Sequence, residues 1–136
     1  IMVGFPGETD SEFEETVSLM EAVKYDAAFT FVYSPRKGTV AAQMPDQIPE
    51  EVKQQRIMRL VALQAEHTYQ SNLANVGKIE KVLIEGQSTK DVDSVCGRTD
   101  GGKMVNLPGS MDWIGQMVKA EITEAKKTTL LGRIRD

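Results

Sequence analysis

The hydrophobic period of this chain changes at Gly77, and the change splits it into two separate folding problems. Before Gly77, apolar residues recur at helical spacing between short β-forming runs. After it, they alternate within short segments bounded by turn residues. Those patterns predict an α/β portion before Gly77 and an all-β portion after it. A chain of 136 residues has room for one ordinary domain or two small ones.

In the first portion, residues 1–5 form a short apolar strand that runs into the turn Gly4-Phe5-Pro6-Gly7-Glu8. Thr9 and Glu12 stand at capping-box spacing, and Phe13, Val17, Met20 and Val23 trace the apolar stripe of the helix that follows. Residues 27–33 (AAFTFVY) are nearly continuous in apolar and β-forming types, as in a strand covered on both faces. Together these make one βαβ unit. Residues 34–38 form a turn and 39–48 an irregular stretch. Pro49 opens a long helix over about 50–72, with Ile57, Leu60, Val61, Gln64 and Thr68 along one side and Val52, Met58, Leu63 and Ala65 broadening it.

In the second portion, residues 78–85 place Ile79, Val82 and Ile84 roughly on one face, and Gly86 ends the segment. Residues 94–99 and 103–107 form a hairpin around Asp100-Gly101-Gly102. Residues 117–123 and 128–134 form a final pair. Five short strands in this space predict a small antiparallel barrel of OB-like type.

A strand that ends in a glycine-rich turn and feeds a helix is how α/β proteins build ligand sites at strand C-termini. With that unit at residue 4, the chain reads as the back portion of something larger. Gly4 and Gly7 would let backbone approach a ligand, Pro6 would stiffen the turn, and Glu8 would accept hydrogen bonds from an amine or a ribose hydroxyl. The same residues also suit a plain strand–helix turn with a capping acid. Arg36, at the corresponding end of the second strand, could fork onto a carboxylate or phosphate, or belong to a solvated basic turn.

One cysteine and one histidine exclude a disulfide framework and any metal cluster held by this chain's own thiolates, so no metal or catalytic residue is assigned. Cys96 is expected to be a buried small hydrophobe and His67 a surface or interdomain residue. No apolar run has the length of a membrane span, and the expectation is a cytoplasmic protein with no membrane partner. The net charge of −4 argues against a dedicated nucleic-acid binder, but it is uneven: residues 1–66 carry 11 acidic and 6 basic side chains, and residues 67–136 carry 9 and 10. Lys90, Arg98, Lys103, Lys119, Lys126, Lys127 and Arg133 are therefore the candidate RNA-binding residues. With Trp113 the only aromatic residue nearby, contacts to backbone and shape suit them better than base stacking.

The segments IMVGFPGETDSEFEET, AFTFVYSPRKGTVAAQM, DQIPEEVKQQR, VGKIEKVLIEG and CGRTDGGKMVNLPG, in that order, resemble the C-terminal part of the tRNA methylthiotransferases. These are radical S-adenosylmethionine (SAM) enzymes. YSPRKGTVAA looks most like the branch that converts isopentenyl-adenosine beside the anticodon to its 2-methylthio derivative. The resemblance implies that residues 1–69 end a TIM-like radical-SAM barrel and that residues 70–136 are a TRAM domain, an RNA-binding β-barrel. It implies SAM and two [4Fe–4S] clusters as cofactors, with the tRNA anticodon arm as partner and an unidentified reductant protein. Gly4, Pro6, Gly7, Glu8, Ser34 and Arg36 become the SAM-side candidates. The family's cluster cysteines have no counterpart here, since Cys96 matches neither set. This stretch alone is therefore expected to be inactive. Where family members often carry asparagine in the TRAM turn, this chain has Gly102. A ribosomal-protein methylthiotransferase and a stand-alone RNA-binding module are the alternatives.

Overall fold

Thr9 starts the first helix as its spacing from Glu12 predicts. In the computed structural model, which describes residues 1–136, the Thr9 hydroxyl accepts from the Glu12 amide at 3.1 Å. The Glu12 carboxylate in turn accepts from the Thr9 amide at 2.9 Å. The helix α1 (Asp10–Val23) buries Phe13, Val17 and Met20, but Val23 is exposed because the helix ends at Lys24, whose φ is 52°. Thr9→Ala removes the acceptor for one otherwise unpaired helix amide. The expected cost is about 1 kcal/mol, measurable as a lower midpoint in urea unfolding.

The chain divides into two compact units, residues 1–67 and 68–136. In the first, β1 (Met2–Val3) pairs in parallel with β2 (Phe31–Val32), Met2 opposite Phe31 and Val3 opposite Val32. Both strands are shorter than residues 1–5 and 27–33 suggest. Residues 27–30 carry no ladder, and Phe29 is 92% exposed. The reason is coverage. Val3 packs with Phe13, Val17, Met20 and Leu60 in a core supplied by both helices, while Met2 and Phe31 remain 43% and 50% exposed. A continuous apolar run needs a layer on each face to be held as a long strand, and this unit supplies one.

The second helix, α2 (Glu50–Leu73), follows a short 3-10 turn at Ala41–Gln43. Its buried face is rotated from the expected one. Lys53, Arg56, Leu60 and Gln64 are buried at spacings of three, four and four, while Val61 and Met58 face out. Two positions of that face are occupied by cations. No helix is long and apolar enough to cross a membrane.

In the second unit, β3 (Ile79–Gln87), β4 (Ser94–Thr99), β5 (Met104–Pro108), β6 (Met117–Ala125) and β7 (Leu130–Ile134) close into a barrel in the order β3-β4-β5-β7-β6. The expected all-antiparallel pairing is corrected at one place: β5 and β7 run parallel, with Val105 opposite Leu130. Closure requires this. Round a ring of five strands the direction must return to itself, so the number of antiparallel pairs is even and at least one pair is parallel. Val82, Ile84, Val95, Val105, Leu107, Ala120, Ile122 and Leu130 fill the interior. Strict alternation along β3 puts Ile79 outside rather than with Val82 and Ile84. Cys96 is likewise only half-buried, because Val95 and Gly97 take the buried phase of β4.

Candidate ligand turns and a candidate nucleic-acid groove

The turn after β1 is braced by backbone bonds, one within it and one to Asp46, and by the Glu8 and Arg56 side chains. Gly4 and Gly7 have φ of 76° and 83°, in the left-handed region that disfavours any side chain. The Glu8 amide donates to the Phe5 carbonyl at 3.0 Å, and the Gly7 amide donates to the Asp46 carbonyl at 2.8 Å. Pro6 is buried beneath the turn. The Glu8 carboxylate faces into the protein: Oε1 accepts from the Gly4 amide at 2.9 Å and from Arg56 at 2.7 Å. Arg56 also donates to the Glu8 carbonyl at 3.0 Å and to Asp10 Oδ1 at 2.8 Å. Burial works against the Arg56 charge, but the bonds to Asp10 and Glu8 outweigh it, and its pKa rises above the ordinary guanidinium value.

The turn after β2 is open. Ser34 and Arg36 line a pocket of about 300 Å³ together with Met2, Phe31 and Thr39. The Arg36 carbonyl accepts from the Thr39 hydroxyl at 2.8 Å, which fixes the backbone, and both side chains are exposed. The structure thus gathers Ser34 and Arg36 in one pocket; Gly4, Pro6, Gly7 and Glu8 form the separate braced turn and do not line it.

The seven basic candidates of the barrel also separate. Lys90, Lys126 and Lys127 line an open groove of about 720 Å³, with Ser88, Asn106, Thr123, Thr128 and Thr129 supplying hydroxyl and amide groups. Asp91 is the one acidic residue in its wall. The Ser94 hydroxyl and the Asp93 amide bond its carboxylate and hold its pKa below the usual range. Two turns build the groove. Ser88 donates to Asn106 Oδ1 at 3.1 Å beside Lys90, and the Lys126 amide donates to the Thr129 carbonyl at 2.8 Å. Lys126 also contacts Glu124.

The other four lie elsewhere and are engaged differently. Arg98 reaches Glu85 at 3.4 Å, Lys103 donates to Asn72 at 2.9 Å, and Arg133 pairs with Glu121 at 2.9 Å. Lys119 stands directly opposite Lys81 on the β3–β6 ladder. The sequence reading passed over Lys53 and Arg56, although both stand in helical phase with Leu60. It also passed over the groove hydroxyls, of which the Thr128-Thr129 pair beside Lys126-Lys127 was the visible sign. No group of His, Cys, Asp and Glu side chains is arranged to hold a metal ion.

Comparison with known proteins covers both units. Residues 73–134 match the TRAM domain. Over 132 residues, 97% of this chain, the sequence is 52% identical to the tRNA-2-methylthio-N(6)-dimethylallyladenosine synthase of Clostridium botulinum strain Hall, and the match spans 29% of that protein. The Bacillus mycoides synthase of the same name is 48% identical over 134 residues, which is 98% of this chain and 26% of the relative. The chain therefore matches the TRAM-containing portion of such synthases and spans less than a third of their length.

Proposed function

We propose that this chain is the C-terminal portion of a tRNA methylthiotransferase, a cytoplasmic enzyme that adds a 2-methylthio group to isopentenyl-adenosine beside the anticodon. Residues 1–69 would end its radical-SAM barrel, and residues 70–136 would be its RNA-binding TRAM domain. The observation that carries the reading is the identity of 48–52% running through both units, ligand turns and barrel alike. Two structural features support it. The β1–β2 sheet has its helices on one face and leaves Met2 and Phe31 bare on the other, as strands of a larger closed barrel would. The lysine-lined groove offers a polyanion a concave basic surface.

The residues at the mouth of the first unit fit SAM. Arg36 makes no ion pair and could take its carboxylate, Ser34 offers a hydroxyl, and Met2 and Phe31 give apolar walls. When bound, SAM would supply radical initiation and the methyl group. This chain's own part is to bind and orient it and to hold tRNA through Lys90, Lys126 and Lys127. The two [4Fe–4S] clusters find no ligand set in this chain, since Cys96 is its single cysteine and lies on the barrel.

The test is methylthiolation by the full-length enzyme that contains this chain, loaded with its clusters. Transfer to isopentenyl-adenosine in tRNA is expected, and none by the 136-residue chain alone. Modification of a ribosomal protein with tRNA untouched would overturn the substrate assignment. Turnover by the 136-residue chain would overturn its placement as a portion without cluster ligands.

A further inference from the structure

We infer that Lys53 and Arg56 of α2 are positioning residues that set the two ligand turns relative to each other, without touching the ligand themselves. The inference rests on the SAM reading of those turns.

Both cations lie on the buried face of α2, one helical turn apart, with 2% and 6% exposure. Burying a charge is costly unless strong partners meet it, and well-packed apolar residues at such sites are often as stable or more so. A helix that only had to cover the sheet would need neither cation. Lys53 pairs with Glu50 on its own helix at 3.1 Å, and each cation also reaches a turn beyond the helix. Lys53 Nζ donates to the Tyr33 carbonyl at 3.3 Å, at the end of β2 and immediately before Ser34. Its ammonium also lies 5.5 Å from the Tyr33 ring centre. Arg56 holds the far side of the turn after β1 through the Glu8 carbonyl and carboxylate, and Glu8 in turn accepts from the Gly4 amide next to β1.

Lys53 also fits beneath the first turn. A Cβ added at Gly4 would stand 2.5 Å from Lys53 Cγ, so the stem of Lys53 packs where only glycine leaves space. One helix turn therefore fixes the end of β2 and the turn after β1 by polar bonds whose donors are buried. Binding must re-order a turn that has come loose, so loosening either bond should weaken SAM binding although neither cation contacts it.

The experiment uses the full-length, cluster-loaded enzyme. In Arg56→Gln the dissociation constant for SAM should rise about tenfold. Arg56→Lys should recover only part of that, because an ammonium cannot fork onto Glu8 and Asp10 together. Lys53→Met keeps the stem packing and should raise KM for SAM severalfold. In all three, kcat at saturating SAM and tRNA affinity should stay within about twofold. A purely structural role would instead lower the melting temperature while the folded enzyme kept its SAM affinity, and that result in Arg56→Lys and Lys53→Met would overturn the inference. Failure of the unaltered enzyme to bind SAM would remove the SAM reading itself, a different outcome read in a different protein.

Discussion

Replacing Gly97 with alanine is expected to unfold the barrel of residues 68–136. Gly97 pairs with Ile84 across β3 and β4, next to the register shift between Ile84 and Gly86. A Cβ at this position would lie 2.2 Å from the Leu83 carbonyl oxygen, 2.8 Å from its carbon and 2.8 Å from Val82 Cγ1. Two of those three atoms are backbone and cannot swing aside. Relief requires β3 and β4 to separate, which breaks their ladder and opens the ring. Ordinary overpacking costs about 1–3 kcal/mol, and a clash with backbone should reach at least the top of that range. A domain of this size has a total stability of roughly 3–10 kcal/mol. Gly97→Ala should therefore show a large unfolded fraction at 37 °C by circular dichroism and lose amide protection in β3 and β4. Gly86→Ala is the control, since nothing lies within 4 Å of its added Cβ. A stability for Gly97→Ala within about 1 kcal/mol of the parent would show that the strands can move apart at little cost.

The Gly97 contact marks the limit of what the sequence could disclose. Turn chemistry and alternation were enough to place five strands, and local spacing was enough to place the Thr9–Glu12 cap. Closure with an odd number of strands requires at least one parallel pair, but the count does not say that the pair is β5–β7. Properties that depend on which face is covered were not legible. Residues 27–33 read as a doubly covered strand, yet the composition of that run says nothing about how many layers surround it. Leu60 and Gln64 lie on the buried side of α2 as their spacing predicts, but Lys53 and Arg56 complete that face, and nothing in their spacing discloses the buried carbonyl and carboxylate that they meet. Glu8 suits either a ligand acceptor or the acid of a plain turn in the sequence, and only the fold shows that its carboxylate bonds Gly4 and Arg56. Seven basic residues could be listed along the second portion. Only barrel closure brings Lys90 to Lys126 and Lys127 and leaves Lys119 facing Lys81 on the β3–β6 ladder.

That sorting gives the tRNA reading its sharpest consequence. Changing Lys90, Lys126 and Lys127 together to glutamine should reduce tRNA affinity by about 10²-fold at 0.1 M salt. Each cation that neutralises a phosphate releases condensed counterions, so log affinity falls with log salt at a slope of about −0.7 to −0.9 per phosphate contact. Three lost contacts should flatten the slope by about 2–3, and over the decade from 1 M to 0.1 M that is a difference of about 10² to 10³. The two lines should converge near 1 M salt, which separates loss of charge from misfolding, because a misfolded barrel would bind weakly at every salt concentration. Lys119→Gln is the internal comparison. Its neighbour Lys81 lies directly across the ladder, where like charges repel, and it lines no part of the groove. It should change the slope by less than one unit and leave the barrel at least as stable. Equal slopes for the triple variant and the parent would remove the groove as the tRNA contact. A full loss from Lys119→Gln alone would move the contact to the β3–β6 face.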